Sequence, residues 1–179
     1  PGCIHVCLGS YTLHNKIWQQ ELDYRTWISP PYDPKADLEH FFAKNINDFK
    51  AINYRDLGAM IVKQHGVYYY DLTGGYFHDR DIMDNIAYGY KTYQSSISKE
   101  SYLKPDVTVI VDEESCYWIS EDYNVIGAIN RCLWAMDDSL YLSGVPFDIY
   151  FIDDLIKYPE LKDYKVYIFL NTFFMRKNE

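Results

Sequence analysis

The chain of 179 residues has no apolar run near the roughly 18 residues needed to cross a bilayer. Its first residues, Pro1-Gly2-Cys3-Ile4-His5, lack the charged and then apolar order of a secretion signal. A soluble protein without a membrane partner is expected. Cysteine is sparse: Cys3, Cys7, Cys116 and Cys132 are too few and too scattered for a disulfide scaffold. Along a strand Cys3 and Cys7 would stand about 13 Å apart, beyond disulfide reach. No Cys-x-x-Cys and no zinc-spaced His/Cys group occurs, so no metal and no cofactor is expected, and the thiols read as free in a reducing compartment such as bacterial cytoplasm. Gly-x-Ser-x-Gly is absent, and the apolar run at 107–111 is followed by Asp-Glu-Glu-Ser-Cys rather than a glycine-rich phosphate loop, which removes the usual esterase and dinucleotide arguments. Internal repeats, low-complexity linkers and glycosylation sequons are missing too. Basic residues are outnumbered, 17 Lys and Arg against 26 Asp and Glu, for a net charge of −9. That balance repels phosphate backbones and argues against nucleic acid as a partner.

The charge is uneven. Residues 105–163 hold 13 acidic and 3 basic side chains, whereas the rest of the chain is nearly neutral. Two segments are therefore expected, 1–104 and 105–179, with a boundary near Ser101-Tyr102-Leu103-Lys104-Pro105.

Short apolar runs alternate with longer amphipathic stretches, the order of parallel strands joined by crossover helices, so the expected class is α/β. Strands are expected at Ile4-His5-Val6-Cys7-Leu8 and Lys16-Ile17-Trp18-Gln19-Gln20, punctuated by Gly9-Ser10. Asp33-Pro34 should open a helix whose buried face carries Leu38, Phe41, Phe42 and Phe49. A second helix is expected at 54–64, capped by Gly66, and a strand at 67–71 that delivers Asp71 into the loop Thr73-Gly74-Gly75. Asp79 or Asp81 should cap the next helix, with Met83, Ile86, Ala87 and Tyr90 inward. Further on, Val107-Thr108-Val109-Ile110-Val111 has the composition of a buried parallel strand. A helix over 126–142 and strands at 147–151 and 165–170 follow, with an acidic turn at Asp153-Asp154-Leu155.

Functional groups in parallel α/β folds gather at the carboxyl ends of strands. Two stretches fit. Residues 18–27 place Glu21, Asp23 and Arg25 among Trp18, Tyr24 and Trp27, and residues 68–77 place Asp71 among Tyr70, Tyr76 and other aromatics. Carboxylates beside aromatic faces suit a sugar: a carboxylate attacks or stabilises an oxocarbenium-like centre, and rings pack on the apolar pyranose face. Glu21 is the candidate nucleophile, Arg25 its electrostatic partner, and Asp71 a group that binds or orients a hydroxyl. Trp18, Asp23, Tyr70 and Tyr76 complete the candidate sugar-binding set, with His14 and His78 as further lining candidates. The competing assignment is an Arg–Asp surface pair among core aromatics. Retention needs a second carboxyl group about 5–5.5 Å from the first, and no motif marks one. Cys132, inside an expected helix, is a poor nucleophile candidate. The acidic run Asp112-Glu113-Glu114 with Glu121-Asp122 offers a cation site or, alternatively, a solvated loop.

Lys16-Ile-Trp-Gln-Gln-Glu-Leu-Asp-Tyr-Arg-Thr, Tyr54-Arg-Asp-Leu-Gly-Ala and Gly66-Val-Tyr-Tyr-Tyr-Asp-Leu-Thr-Gly-Gly-Tyr-Phe resemble the last two strand–helix units of the catalytic barrel in large β-galactosidase-like glycoside hydrolases. The acidic segment, with Val107-Thr-Val-Ile-Val-Asp, Gly144-Val-Pro-Phe-Asp-Ile-Tyr-Phe-Ile-Asp-Asp-Leu and Leu161-Lys-Asp-Tyr-Lys-Val-Tyr-Ile-Phe-Leu-Asn, resembles the first half of the flavodoxin-like trimerisation domain of family 42 and its relatives. The resemblance implies a retaining β-glycosidase with Glu21 as nucleophile and an acid/base carried elsewhere. It also implies a piece cut at both ends from a longer protein, inactive alone, and a homo-oligomer with a trimer favoured. The alternative is a non-catalytic α/β module for oligomerisation or carbohydrate binding.

Overall fold

A computed structural model describes residues 6–29, 42–97, 99, 105–119, 136–175 and 177. In chain order its regular elements are α1 (Leu8–Leu13), β1 (Gln19–Leu22), β2 (Arg25–Thr26), β3 (Phe42–Ala43), α2 (Ile46–Lys63), β4 (Gly66–Tyr69), α3 (Arg80–Ile97), β5 (Val107–Val111), β6 (Phe147–Phe151), α4 (Ile152–Lys157) and β7 (Val166–Phe169). The class is mixed α/β, and every strand pairing is parallel. Two compact units emerge, one centred on Ile17–Tyr102, the other joining Cys3–Lys16 to Leu103–Glu179. Among the described residues no helix is long and apolar enough to cross a membrane.

In the first unit β1 pairs with β4, and β2 with β3. The period-two alternation of a strand puts Leu22, Val67 and Tyr69 on one face, where they join Phe49 of α2 and Ile82 of α3 in a core that also takes in Tyr24, Tyr76 and Phe77. Phe49 and Ile82 are fully buried, each contributing about 1.5–3 kcal/mol relative to exposure. Asn45 caps α2 by accepting from the amides of Asn47 (2.9 Å) and Asp48 (3.1 Å). The helix ends at Gln64, whose φ of 57° takes the left-handed turn expected of Gly66, while Gly66 opens β4 instead. The expected 54–64 helix is thus eight residues longer at its start, because Asn45 caps it there. Phe49 belongs to this helix, whereas Phe42 lies in strand β3; the helix start expected at Asp33-Pro34 falls outside the described residues.

Asp79 caps α3, accepting from the amides of Asp81 (2.9 Å) and Ile82 (3.1 Å). The face expected inward is rotated: Ile82, Asn85, Ile86 and Gly89 turn to the core, and Met83 and Tyr90 are exposed. A polar residue and a glycine occupy buried positions here. A Cβ at Gly89 would lie 2.5 Å from Leu57 Cδ1, so the glycine leaves room for the Leu57 side chain where α2 and α3 pack.

The second unit is a three-stranded sheet in the order β6-β5-β7. Its central strand coincides with the expected 107–111 run, and both faces are covered. Val109, Phe147 and Ile149 pack with Cys7 on one side, and Ile110, Tyr150, Ile152, Leu161 and Tyr164 on the other. Double coverage explains why apolar residues on both faces of this strand are buried, with Thr108 the one polar side chain. The strand expected at Ile4–Leu8 is corrected: Leu8 begins a helix, and residues 4 and 5 lie outside the described set. Gly9 is not punctuation but a contact point, since a Cβ there would sit 2.5 Å from the Tyr150 ring and 2.9 Å from the Ile149 carbonyl oxygen. Ser10 Oγ accepts from the Phe151 amide (2.8 Å), and His14 Nε2 meets Asp154 Oδ1 at 2.7 Å. The helix expected at 126–142 lies mostly outside the described residues, which show a π-helical turn at Met136–Tyr141. The acidic turn expected at 153–155 is part of α4.

Candidate functional site

The strand expected at 16–20 is shifted. Asn15, with φ of 55°, ends the α1 segment, and β1 begins at Gln19. Glu21 therefore sits within the strand rather than after it. Leu22 faces the helix-covered core, so its neighbour Glu21 points to the opposite face, where it is exposed. The parallel register aligns Glu21 with Tyr68 of β4. The Tyr68 hydroxyl donates a hydrogen bond to Glu21 Oε2. That bond holds the phenolic proton and, together with desolvation and the negative charge of Glu21, pushes the Tyr68 pKa above its usual value. Tyr68 was not among the residues singled out from sequence. Three consecutive tyrosines give no sign of which one faces the acid, since that depends on a register 47 residues away along the chain.

The remaining candidates are placed as follows. Trp18 is half-buried before β1; its amide donates to His65 Nδ1 (3.2 Å) and its carbonyl accepts from Gly66 (3.0 Å). Asp23 is exposed between β1 and β2. Arg25, on β2, holds its guanidinium carbon 5.5 Å from the centre of the Tyr76 ring. Tyr76 is 1% exposed and belongs to the core, and its carbonyl accepts from the Thr26 hydroxyl. Tyr70 is exposed just past β4, its amide bound to the Leu22 carbonyl (3.2 Å).

Asp71 turns onto its own loop, accepting from the amides of Gly75 (2.8 Å) and Tyr76 (3.1 Å). Gly74 and Gly75 take φ of 82° and 88° to close that loop, a conformation that L side chains rarely adopt. Glu21 and Asp71 are thus engaged separately, one by a phenol across the sheet and the other by backbone amides. The carboxylate of Asp71 stabilises a turn. His14 pairs with Asp154 in the second unit, while His78 is exposed in the first and donates its amide to the Gly75 carbonyl.

Beneath the Glu21 face runs a buried polar network that sequence periodicity gave no sign of. Asn53 Oδ1 accepts from the hydroxyls of Tyr24 (3.0 Å) and Tyr69 (2.6 Å), and its Nδ2 donates to Asn85 Oδ1 (3.0 Å). Burial raises both tyrosine pKa values, that of Tyr69 to about 12, so both remain neutral donors at pH 7. The network ties β4 to α2 and α3, which fixes the backbone that carries Tyr68.

In the second unit Asp112, the first acid of the run after β5, is committed to local structure. Asp112 caps the following 3₁₀ turn through the amides of Glu114 (2.9 Å) and Ser115 (3.1 Å), and Asn171 bonds both the amide (2.8 Å) and the carbonyl (2.6 Å) of Asp112. Glu121 and Asp122 lie outside the described residues, as does Cys132. Among the described residues no group of three His, Cys, Asp or Glu side chains could hold a metal ion. Cys7 is buried, and desolvation foremost pushes its thiol up to about 12, so it is no nucleophile at neutral pH.

No protein-family model matches the chain, and neither a curated protein nor a solved structure matches it.

Proposed function

We infer that Glu21 is the nucleophile of a retaining β-glycosidase site acting on β-linked, galactoside-like substrates. The observation that carries this reading is the position of Glu21: near the carboxyl end of a parallel strand, on the face turned away from the helices, with a phenol donating to its carboxylate. In a parallel barrel the helices clothe the outside, so the uncovered face is the one that lines the catalytic rim. Tyr68 holds one carboxylate oxygen and leaves the other to attack an anomeric carbon. Asp23 and Tyr70, two residues beyond Glu21 and Tyr68, are then the sugar-binding groups beside it, while Arg25, Asp71 and Tyr76 support the rim; Trp18, before the amino end of β1, is left out of the set. The acid/base is not assigned to a residue of this chain.

On this reading residues up to 104 are the carboxyl-terminal part of a (β/α)8 barrel, and residues 105–179 open a flavodoxin-like trimerisation domain. The second assignment is supported by the strand order, since β6-β5-β7 is the 2-1-3 order with which a flavodoxin-like sheet begins. The first must yield residues 3–16 to the second unit, with which α1 packs. A second reading, an oligomerising or sugar-binding module without turnover, is favoured by the use of Asp71 as a loop cap.

Dinitrophenyl β-galactoside separates them, because its leaving group departs without a proton. The glycosidase reading expects a burst of dinitrophenolate stoichiometric with the full chain, lost in Glu21→Gln, and no turnover of unactivated aryl glycosides. Absence of a burst, or a burst that survives Glu21→Gln, supports the non-catalytic module.

A further inference from the structure

A second feature of the first unit lies between α2 and α3 and uses none of the residues around Glu21. The helices come close where Gly89 meets Leu57. Nearer their amino-terminal ends lies an open surface pocket of about 350 Å³, lined by Lys50 and Tyr54 of α2 and by Asp81, Asp84, Asn85 and Tyr88 of α3. That volume is at the small end of the roughly 300–1,000 Å³ typical of ligand pockets and suits a single small molecule.

The polar base of the pocket is built from the core. Asn85 is 4% exposed; its Oδ1 accepts from Asn53 (3.0 Å), and its Nδ2 donates to the Tyr54 hydroxyl oxygen (2.6 Å). The Tyr54 hydroxyl is thereby fixed as an acceptor toward Asn85, with its own proton directed elsewhere. The Tyr54 and Tyr88 rings stand edge to face with centroids 6.0 Å apart, and both are exposed. Charges of both signs share the lining: Asp84 engages Arg80 at 3.8 Å, and among the described residues no ion pair joins Lys50 to Asp81 or Asp84.

We propose that this pocket binds a free α-amino acid zwitterion with an apolar or aromatic side chain. Asp81 and Asp84 take the ammonium, Lys50 takes the carboxylate, and the side chain lies against Tyr54 and Tyr88. A simple cation would leave Lys50 facing like charge, and a simple anion would face two carboxylates. A neutral sugar would partly desolvate three charged groups without compensating any of them. The zwitterion alone offers an opposite charge to both the acidic and the basic side chains of the lining.

Titration of the full chain by calorimetry and by ¹H–¹⁵N NMR tests this, with L-phenylalanine, phenethylamine, 3-phenylpropionate and methyl β-galactoside as probes. Phenylalanine should saturate with Kd below about 1 mM, roughly tenfold tighter than either singly charged analogue. Lys50→Gln should abolish the preference for phenylalanine over phenethylamine, and Tyr88→Ala should weaken both. Lys50 and Tyr88 are exposed, so these variants keep the fold, which an unchanged melting curve checks. The proposal fails if phenethylamine or the galactoside binds as tightly as phenylalanine, if Lys50→Gln changes nothing, or if no probe saturates by about 10 mM.

Discussion

Replacing Asn53 with alanine removes the centre of the polar network beneath the first sheet. Two acceptor bonds from Tyr24 and Tyr69 and one donor bond to Asn85 disappear together. Tyr24 is 7% exposed and Asn85 4%, so the Tyr24 hydroxyl and Asn85 Oδ1 are left inside with the acceptor and donor gone. An orphaned buried polar group costs about 1–3 kcal/mol, and Tyr69, half-buried, can recruit water. The expected loss is about 3–5 kcal/mol for the first unit, including the cavity left by the amide. Tyr24→Phe alone should cost about 1 kcal/mol, yet in the Asn53→Ala background it should cost nothing or stabilise, because it deletes the orphaned hydroxyl. Urea unfolding followed by far-UV circular dichroism and tryptophan fluorescence measures all four corners of the cycle. A loss below about 1 kcal/mol for Asn53→Ala, or strict additivity of the two changes, would refute the network as described.

Three further outcomes are expected. The Tyr68 phenol should titrate above its ordinary value of 10.0, chiefly because it donates to Glu21, and Glu21→Gln should bring it back down in an alkaline ultraviolet difference titration. His65 is buried and its pKa is lowered from 6.5, first by desolvation and then by Lys63, so the unfolded chain binds its proton more readily. Stability of the first unit should therefore rise as pH climbs to about 6.5 and fall below it, by at most about 1.4 kcal/mol per pH unit, a slope absent in His65→Gln. Gly9→Ala should destabilise the second unit by about 1–3 kcal/mol in urea titrations, because the helix-propensity gain of about 1 kcal/mol is outweighed by a Cβ placed 2.9 Å from the Ile149 carbonyl oxygen.

How far the sequence foretold the fold depended on whether a local pattern decided the outcome. The Val107–Val111 strand was legible because both sheet faces are covered and its composition is uniformly β-prone. The strand at 147–151 and the acidic turn at 153–155 were legible for similar local reasons. The inward face of α3 was not, because a buried asparagine and a glycine hold positions that a search for apolar periodicity skips. Helix α1 was not legible because the β-prone Val6 and Cys7 run directly into it and its glycine serves a contact with Tyr150, more than 130 residues away. At the candidate site, Glu21 was legible as an acid among aromatics, but its partner was not, since Tyr68 reaches it only through a parallel register. Asp71 looked like a sugar ligand by composition, and backbone amides of its own loop claim it instead.

The central claim, that the Glu21 carboxylate attacks an anomeric carbon, is tested most directly by locating the covalent product. Incubation of the full chain with dinitrophenyl 2-deoxy-2-fluoro-β-galactoside, followed by peptide mass spectrometry, should find one fluoroglycosyl ester on the peptide carrying Glu21, and on that side chain. A chain that stays unlabelled, or an ester on any other residue, would contradict it.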